Sequence, residues 1–195
     1  MLMTPMNSPL PAPAPPRRLE RARSALLVVD LQERLLPAMW EPDRVVRNVA
    51  RLIRGSRLLQ VPILATEQYR KGLGATVPEL AEALAPVAPI EKLTFSGAVP
   101  EVLAALAAGA VRDVVLCGIE THVCVTQTAL ELLDRGYRVA VAADACSSRL
   151  ADSWRIGLDR MQAAGALPAS TEMVLFEWLE RAGTPQFREI LGLVK

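Results

Sequence analysis

The chain predicts a three-layer α/β/α domain built on a mainly parallel sheet. Short apolar runs alternate along it with segments of helical period, the rhythm of successive βαβ units. Several of these runs end in a charged residue, as buried parallel strands do at the sheet edge where α/β proteins hold their ligands. At 195 residues and 51% hydrophobic content, the chain has material for one core of ordinary size, with no internal repeat and no second domain.

Residues 1–23 carry Pro5, Pro9, Pro11, Pro13, Pro15 and Pro16, and no hydrophobic stretch of a secretory signal. They read as a proline-rich disordered arm, with the folded domain spanning 24–195. Residues 24–30 form a buried strand that ends in Asp30. Pro42 opens a helix with Val45, Val46, Val49, Leu52, Ile53 and Leu59 at helical spacing. A second strand over 61–66 leads into a polar, glycine-bearing loop, 67–74. A short helix or turn at 79–84 precedes a weak strand, 88–92, which delivers Lys92 at its end.

A helix over 99–108 follows, and then the stretch around which the chain is organised: a strand up to Cys117, a tight turn at Gly118, and a helix with Cys124 in its first turn. That helix runs to about Arg135, with Gly136 closing it. A fifth strand spans 137–144, a helix spans 152–164 with Gly165 after it, a last strand spans 171–176, and a terminal helix spans 185–191.

Composition narrows the function. A net charge of +1, with Lys and Arg scattered among acids, gives no footprint for nucleic acid. No apolar run approaches the roughly 20 residues that cross a bilayer. Three cysteines at spacings that match no zinc or disulfide framework indicate a reducing, cytoplasmic setting. A single histidine, His122, excludes any mechanism or metal site that needs two.

Strand ends of an open parallel sheet share one edge, so Asp30, Lys92 and the turn before Cys124 converge. A cysteine hydrolase needs a base, a nearby cation and oxyanion donors. Asp30 suits the first role, Lys92 the second, and the N–H groups around Cys124 the third. The helix start is also expected to favour thiolate over thiol. His122 is the rival base, but two residues from Cys124 at a helix start it points to a different face. Taken singly, Asp30 reads equally as a capping acid, Lys92 as a surface lysine and Cys124 as a small buried residue. Their convergence decides for a site. Gln32, Glu67, Gln68, Tyr69, Phe95 and Thr121 are candidate pocket residues. Cys117 in a strand and Cys146 in a loop read as structural. Trp40, Trp154 and Trp178 read as dispersed core or subunit contacts.

At these residues the chain resembles the isochorismatase-like cysteine hydrolases, a family that includes nicotinamidases, N-carbamoyl amidohydrolases and many members of unassigned substrate. The resemblance rests on Leu27-Val28-Val29-Asp30-Leu31-Gln32, on Lys92 followed by Phe95-Ser96, on Gly118 through Val125, and on Asp144 through Arg149. It covers the chain from Ser24 to the last strand. It implies a Rossmann-like hydrolase fold, a triad of Asp30, Lys92 and Cys124, and a cis peptide between Ile119 and Glu120. It further implies an oxyanion hole from the backbone N–H groups of Glu120 and Cys124, and a homo-oligomer.

Nicotinamidases build a metal site from an acid and histidines after the second strand. Residues 66–72 here carry no histidine, so neither metal nor cofactor is expected. Isochorismatases proper tend to lack the nucleophilic cysteine and cleave a vinyl ether by acid catalysis. The sequence therefore predicts a metal-independent hydrolase of a small amide or carbamoyl C–N bond, acting through a Cys124 thioester. The alternatives are a vinyl-ether hydrolase with Asp30 as acid, and a non-catalytic protein-binding scaffold.

Overall fold

β1 (Ser24–Val29) is buried at all six residues, so it needs cover on both faces. The computed structural model, which describes residues 18–195, supplies it. β1 lies inside a six-stranded, all-parallel sheet of order β3-β2-β1-β4-β5-β6. The other strands are β2 (Ile63–Gln68), β3 (Ile90–Lys92), β4 (Asp113–Ile119), β5 (Arg138–Ser147) and β6 (Leu167–Ala169). Strand order reverses between β1 and β4, and at such a switch point the C-terminal ends part to form a crevice.

Alternate residues of the central strands feed two cores. Leu26, Val28, Val115 and Cys117 pack under α1 (Pro42–Leu58), α3 (Pro78–Leu84), α7 (Thr171–Leu179) and α8 (Pro185–Val194). Ala25, Leu27, Val29, Val114 and Leu116 pack under α4 (Pro100–Ala108), α5 (Thr126–Asp134) and α6 (Ala151–Ala163). A single turn, α2 (Arg70–Leu73), caps the β2 loop. Proline opens α1, α3, α4 and α8. Its fixed φ suits the first helical position, and the N–H it lacks would have no partner there.

Four sequence expectations are corrected. Residues 171–176 are the start of α7, and the last strand is the short β6 just upstream. An apolar run of this length does not distinguish strand from helix. The cap decides it: Ser170 Oγ accepts from Met173 N–H at 3.2 Å, and Val174, Leu175 and Trp178 then face the core. β5 runs on to Ser147, so Cys146 lies in a buried strand, not in a loop. Trp40 and Trp154 are not dispersed: their ring centroids are 5.3 Å apart, and the Arg44 guanidinium lies 5.1 Å from the first and 5.9 Å from the second. Trp178 alone is core.

The packed domain also begins earlier than Ser24. Leu19 is buried, its N–H donates to Glu177, and Glu20 N–H donates to the buried Asp113. The rest of the proline-rich arm, residues 1–17, lies outside the described residues. Among the described residues, the large exposed apolar side chains are Leu150, Ile156, Leu167 and Met173 around α6, β6 and α7, with Tyr69, Leu93 and Phe95 near the end of β3.

Gly118 fixes the approach of β4 to β1. Its φ is +124°, and a Cβ there would stand 2.0 Å from the Val29 carbonyl oxygen. Backbone cannot yield as a flexible side chain can. Gly118→Ala should therefore cost at least about 3 kcal/mol, or prevent folding, as read from urea denaturation or soluble yield.

Candidate active site

Asp30 follows the last residue of β1 and holds a positive φ of 52°, uncommon for a residue with a side chain. Its carboxylate is fully buried and doubly engaged. Oδ1 accepts from Thr66 Oγ1 at 2.7 Å, and Oδ2 from Lys92 Nζ at 2.6 Å. The Lys92 ammonium, from the end of β3, also donates to Gln68 Oε1 at 2.8 Å and to the carbonyls of Thr94 and Phe95 at 3.2 and 3.1 Å. Both side chains of the pair are 0% exposed. A buried charge is tolerated only with such complete pairing.

Cys124 comes to this pair from β4. After Gly118 the Ile119–Glu120 peptide is cis, and the chain makes a wide π-helical turn, Thr121–Val125, before α5 begins. Cys124 thus lies in that turn, two residues short of the α-helix in whose first turn it was expected. The Glu120 carbonyl accepts from the amides of Val123 and Val125, on either side of Cys124. π-helical turns of this kind recur at functional sites. Threonine hydroxyls brace the turn from within: Thr126 Oγ1 donates to the Thr121 carbonyl, and Thr128 Oγ1 to that of Cys124, both at 2.6 Å.

Cys124 is 6% exposed, and its thiol is pushed up to about 12, first by burial and then by the Asp30 charge. Lys92 and the Glu120 N–H pull the other way and are outweighed. The expectation of a helix-stabilised thiolate is thus overturned, because desolvation and an adjacent carboxylate exceed the helix field. The resting group is a thiol beside the Asp30 carboxylate.

The folded protein keeps the thiol proton where an ordinary thiol, near 9.0, loses it. Its contribution to stability is full below the ordinary value and is lost as pH rises towards 12. Alkylation of Cys124 by iodoacetamide should rise about tenfold per pH unit from roughly pH 7 to 10. A plateau near pH 9, measured by intact mass, would indicate an unperturbed thiol.

The structure brings Asp30, Lys92 and Cys124 together. It turns three of the six predicted pocket residues into braces. Gln32 is fully buried, giving its amide to the carbonyls of Gln68 and Gly74 and accepting from Gln68 N–H. Gln68 holds Lys92 and donates to the Leu93 carbonyl. Glu67 accepts from the N–H and hydroxyl of Thr76, both at 2.7 Å, and faces Arg70 at 3.4 Å.

Thr121 is buried, and its hydroxyl has no partner among the described residues. Tyr69 and Phe95 remain exposed at the rim. Phe95 borders a cleft of about 450 Å³ with Thr94, Ser96, Gln127 and Glu131, and Cys124 is not among its walls. His122 turns from the triad to Ser148 Oγ, 2.9 Å from its Nδ1. Sequence reasoning missed Thr66. The signal was a buried polar residue two places before Gln68, on the same face of β2.

Comparison with known proteins adds identity to geometry. Residues 24–173 match the isochorismatase domain model. Isochorismatase domain-containing protein 2A of Mus musculus is 42% identical over 173 residues, 88% of this chain and 82% of that protein. Among solved structures, the MAR1 ribonuclease from Caenorhabditis elegans superposes with a TM-score of 0.86 at 39% identity, covering 91% of this chain and 92% of that one. YcaC from Pseudomonas aeruginosa, solved with covalent acrylamide, gives 0.83 at 28% identity, covering 91% of both chains. The Escherichia coli YcaC gene product, described as an octameric hydrolase of unknown specificity, gives 0.81 at 26%, covering 93% and 89%.

Proposed function

The chain belongs to the isochorismatase family, and within it we propose a metal-independent cysteine hydrolase of a small amide or carbamoyl C–N bond. The observation that carries this reading is the buried Asp30–Lys92 pair, whose two charges act on the neighbouring Cys124 thiol. The Cys124 sulfur attacks the carbonyl carbon while Asp30 takes the thiol proton. The developing oxyanion meets the N–H groups of Glu120 and Cys124, which the turn holds in place beforehand.

The C–N bond then breaks, the proton passes from Asp30 to the departing amine, and an acyl- or carbamoyl-thioester remains on Cys124. Water deprotonated by Asp30 attacks the thioester, the acid or carbamate leaves, and the sulfur recovers its proton. Lys92 keeps one cation beside Asp30 throughout. The P. aeruginosa relative carries covalent acrylamide, which supports a reactive nucleophile in a protein similar to this one.

Three free cysteines support a reducing, cytoplasmic setting, and no helix among the described residues is long and apolar enough to cross a membrane. The octameric E. coli relative supports a homo-oligomer. The activity named for the C. elegans protein is weighed against the chemistry here: the one histidine is engaged by Ser148, and Lys92 is buried. RNA incubated with this protein should stay intact.

The test is intact-mass analysis after exposure to a panel of amides and carbamoyl compounds. An acyl increment on Cys124, with loss of the amine, is the expected result. Turnover with no thioester, undiminished by iodoacetamide, would support the vinyl-ether alternative. No adduct with any electrophile, beside a stable protein complex, would support the scaffold alternative.

A further inference from the structure

We propose that Arg149 and Ser148 are positioning residues that clamp the oxyanion turn from outside; this rests on the Cys124 hydrolase reading. The Glu120 carboxylate is engaged by Arg149. Its Oε2 accepts from the backbone N–H and from the guanidinium Nε of Arg149, each at 3.1 Å. One residue earlier, Ser148 Oγ lies 2.9 Å from His122 Nδ1 and accepts from His122 N–H at 3.4 Å. Residues 120 and 122 of the turn are thus each tied to one of two consecutive residues beyond β5.

Those residues reach the turn because β5 is irregular. Leu116 pairs with Val141 and Gly118 with Cys146, so β5 advances five residues while β4 advances two. Irregularities of this type re-aim a strand beside a functional site. The extra length is pinned. Arg44 and Asn48 donate to the Asp144 carbonyl, and the Asp144 carboxylate accepts from Thr171 N–H and Oγ1. Beyond it, Ile119 pairs with Ser147, Ser147 Oγ donates to the Trp40 carbonyl, and Trp40 N–H donates to the Ser148 carbonyl at 2.9 Å.

The clamp separates positioning from stability. The Arg149 side chain is 65% exposed, and an ion pair at such a rim contributes little to folding. Oxyanion donors, in contrast, act through placement, and an error of about 1 Å costs on the order of 10²-fold. Displacement of iodide from iodoacetamide by Cys124 forms no oxyanion, whereas acylation does. The two reactions of one sulfur therefore report on the turn separately.

With the acyl donor found in the mass panel, Arg149→Ala and Ser148→Ala should lower kcat and the acylation rate by about 10- to 100-fold. KM and the alkylation rate should stay within about twofold, with an unchanged melting temperature for Arg149→Ala. Arg149→Lys, which keeps a cation for Glu120, should recover most of the loss. Acylation at the wild-type rate in both alanine variants, or alkylation falling in parallel with it, overturns the clamp. Wild-type protein that forms no acyl adduct overturns the hydrolase reading itself, and the clamp with it.

Discussion

Cys124→Ala should fold as the parent does and lose at least about 10³-fold in turnover, with no acyl increment in its mass. The side chain is small and sits at the end of a braced turn, so its loss removes chemistry and little packing. Cys124→Ser separates the mechanisms further. It keeps a donor for Asp30 and an oxygen where the sulfur stood, but its hydroxyl is far harder to deprotonate than the thiol. On the thioester route it should fall nearly as far as alanine. On an acid-catalysed vinyl-ether route both variants would retain most activity, because the sulfur only lines that site. Single-turnover measurement of amine release in the three proteins decides between them.

Lys92→Ala should cost about 3–5 kcal/mol of stability, since it leaves the Asp30 carboxylate buried without a cation. For a domain of this size that is a fall of roughly 6–20 °C in melting temperature. Activity should be lost as well, so the single variant confounds two effects. The double variant Asp30→Asn/Lys92→Met removes both charges. It should recover the share of stability due to the lone charge while remaining inactive. Recovery will be partial, because Gln68 and the carbonyls of Thr94 and Phe95 also lose their donor. A double-mutant cycle from urea denaturation should give a coupling of about 2 kcal/mol or more. Additive losses would mean that the pair does not act as a unit. Lys92→Arg is not a rescue, because a planar guanidinium does not match acceptors arranged around one ammonium.

The layered fold and the meeting of Asp30 with Lys92 were legible because each depends on which residue ends a strand. Apolar runs mark the strands, and parallel order sends their ends to one edge. What escaped depends on contacts between elements that are remote in sequence. Met173 to Phe176 carries no preference for strand or helix until Ser170 is seen to cap it. Trp40 and Trp154 look unrelated in sequence, and packing of the chain before α1 against α6 makes them neighbours. Gln32, Glu67 and Gln68 were placed at the correct edge, yet their amides and carboxylate are consumed by backbone and side chains that only the folded loops provide. The thiol was misjudged in sign: the field of a helix start can be read from a sequence, whereas burial beside Asp30 cannot.

β3 is three residues long, lies at the sheet edge and pairs only with β2. Such an edge is the natural place for a sheet to fray. The Lys92 side chain crosses β2 to reach Asp30 after β1. One bond therefore serves as part of the proposed site and as a latch on a short edge strand. In deuterated water, the amides of β3 should exchange by local opening once Lys92 is shortened, while those of β1 and β4 still wait for global unfolding. Selection that maintains the reaction would protect the sheet margin as well, without any separate device for doing so.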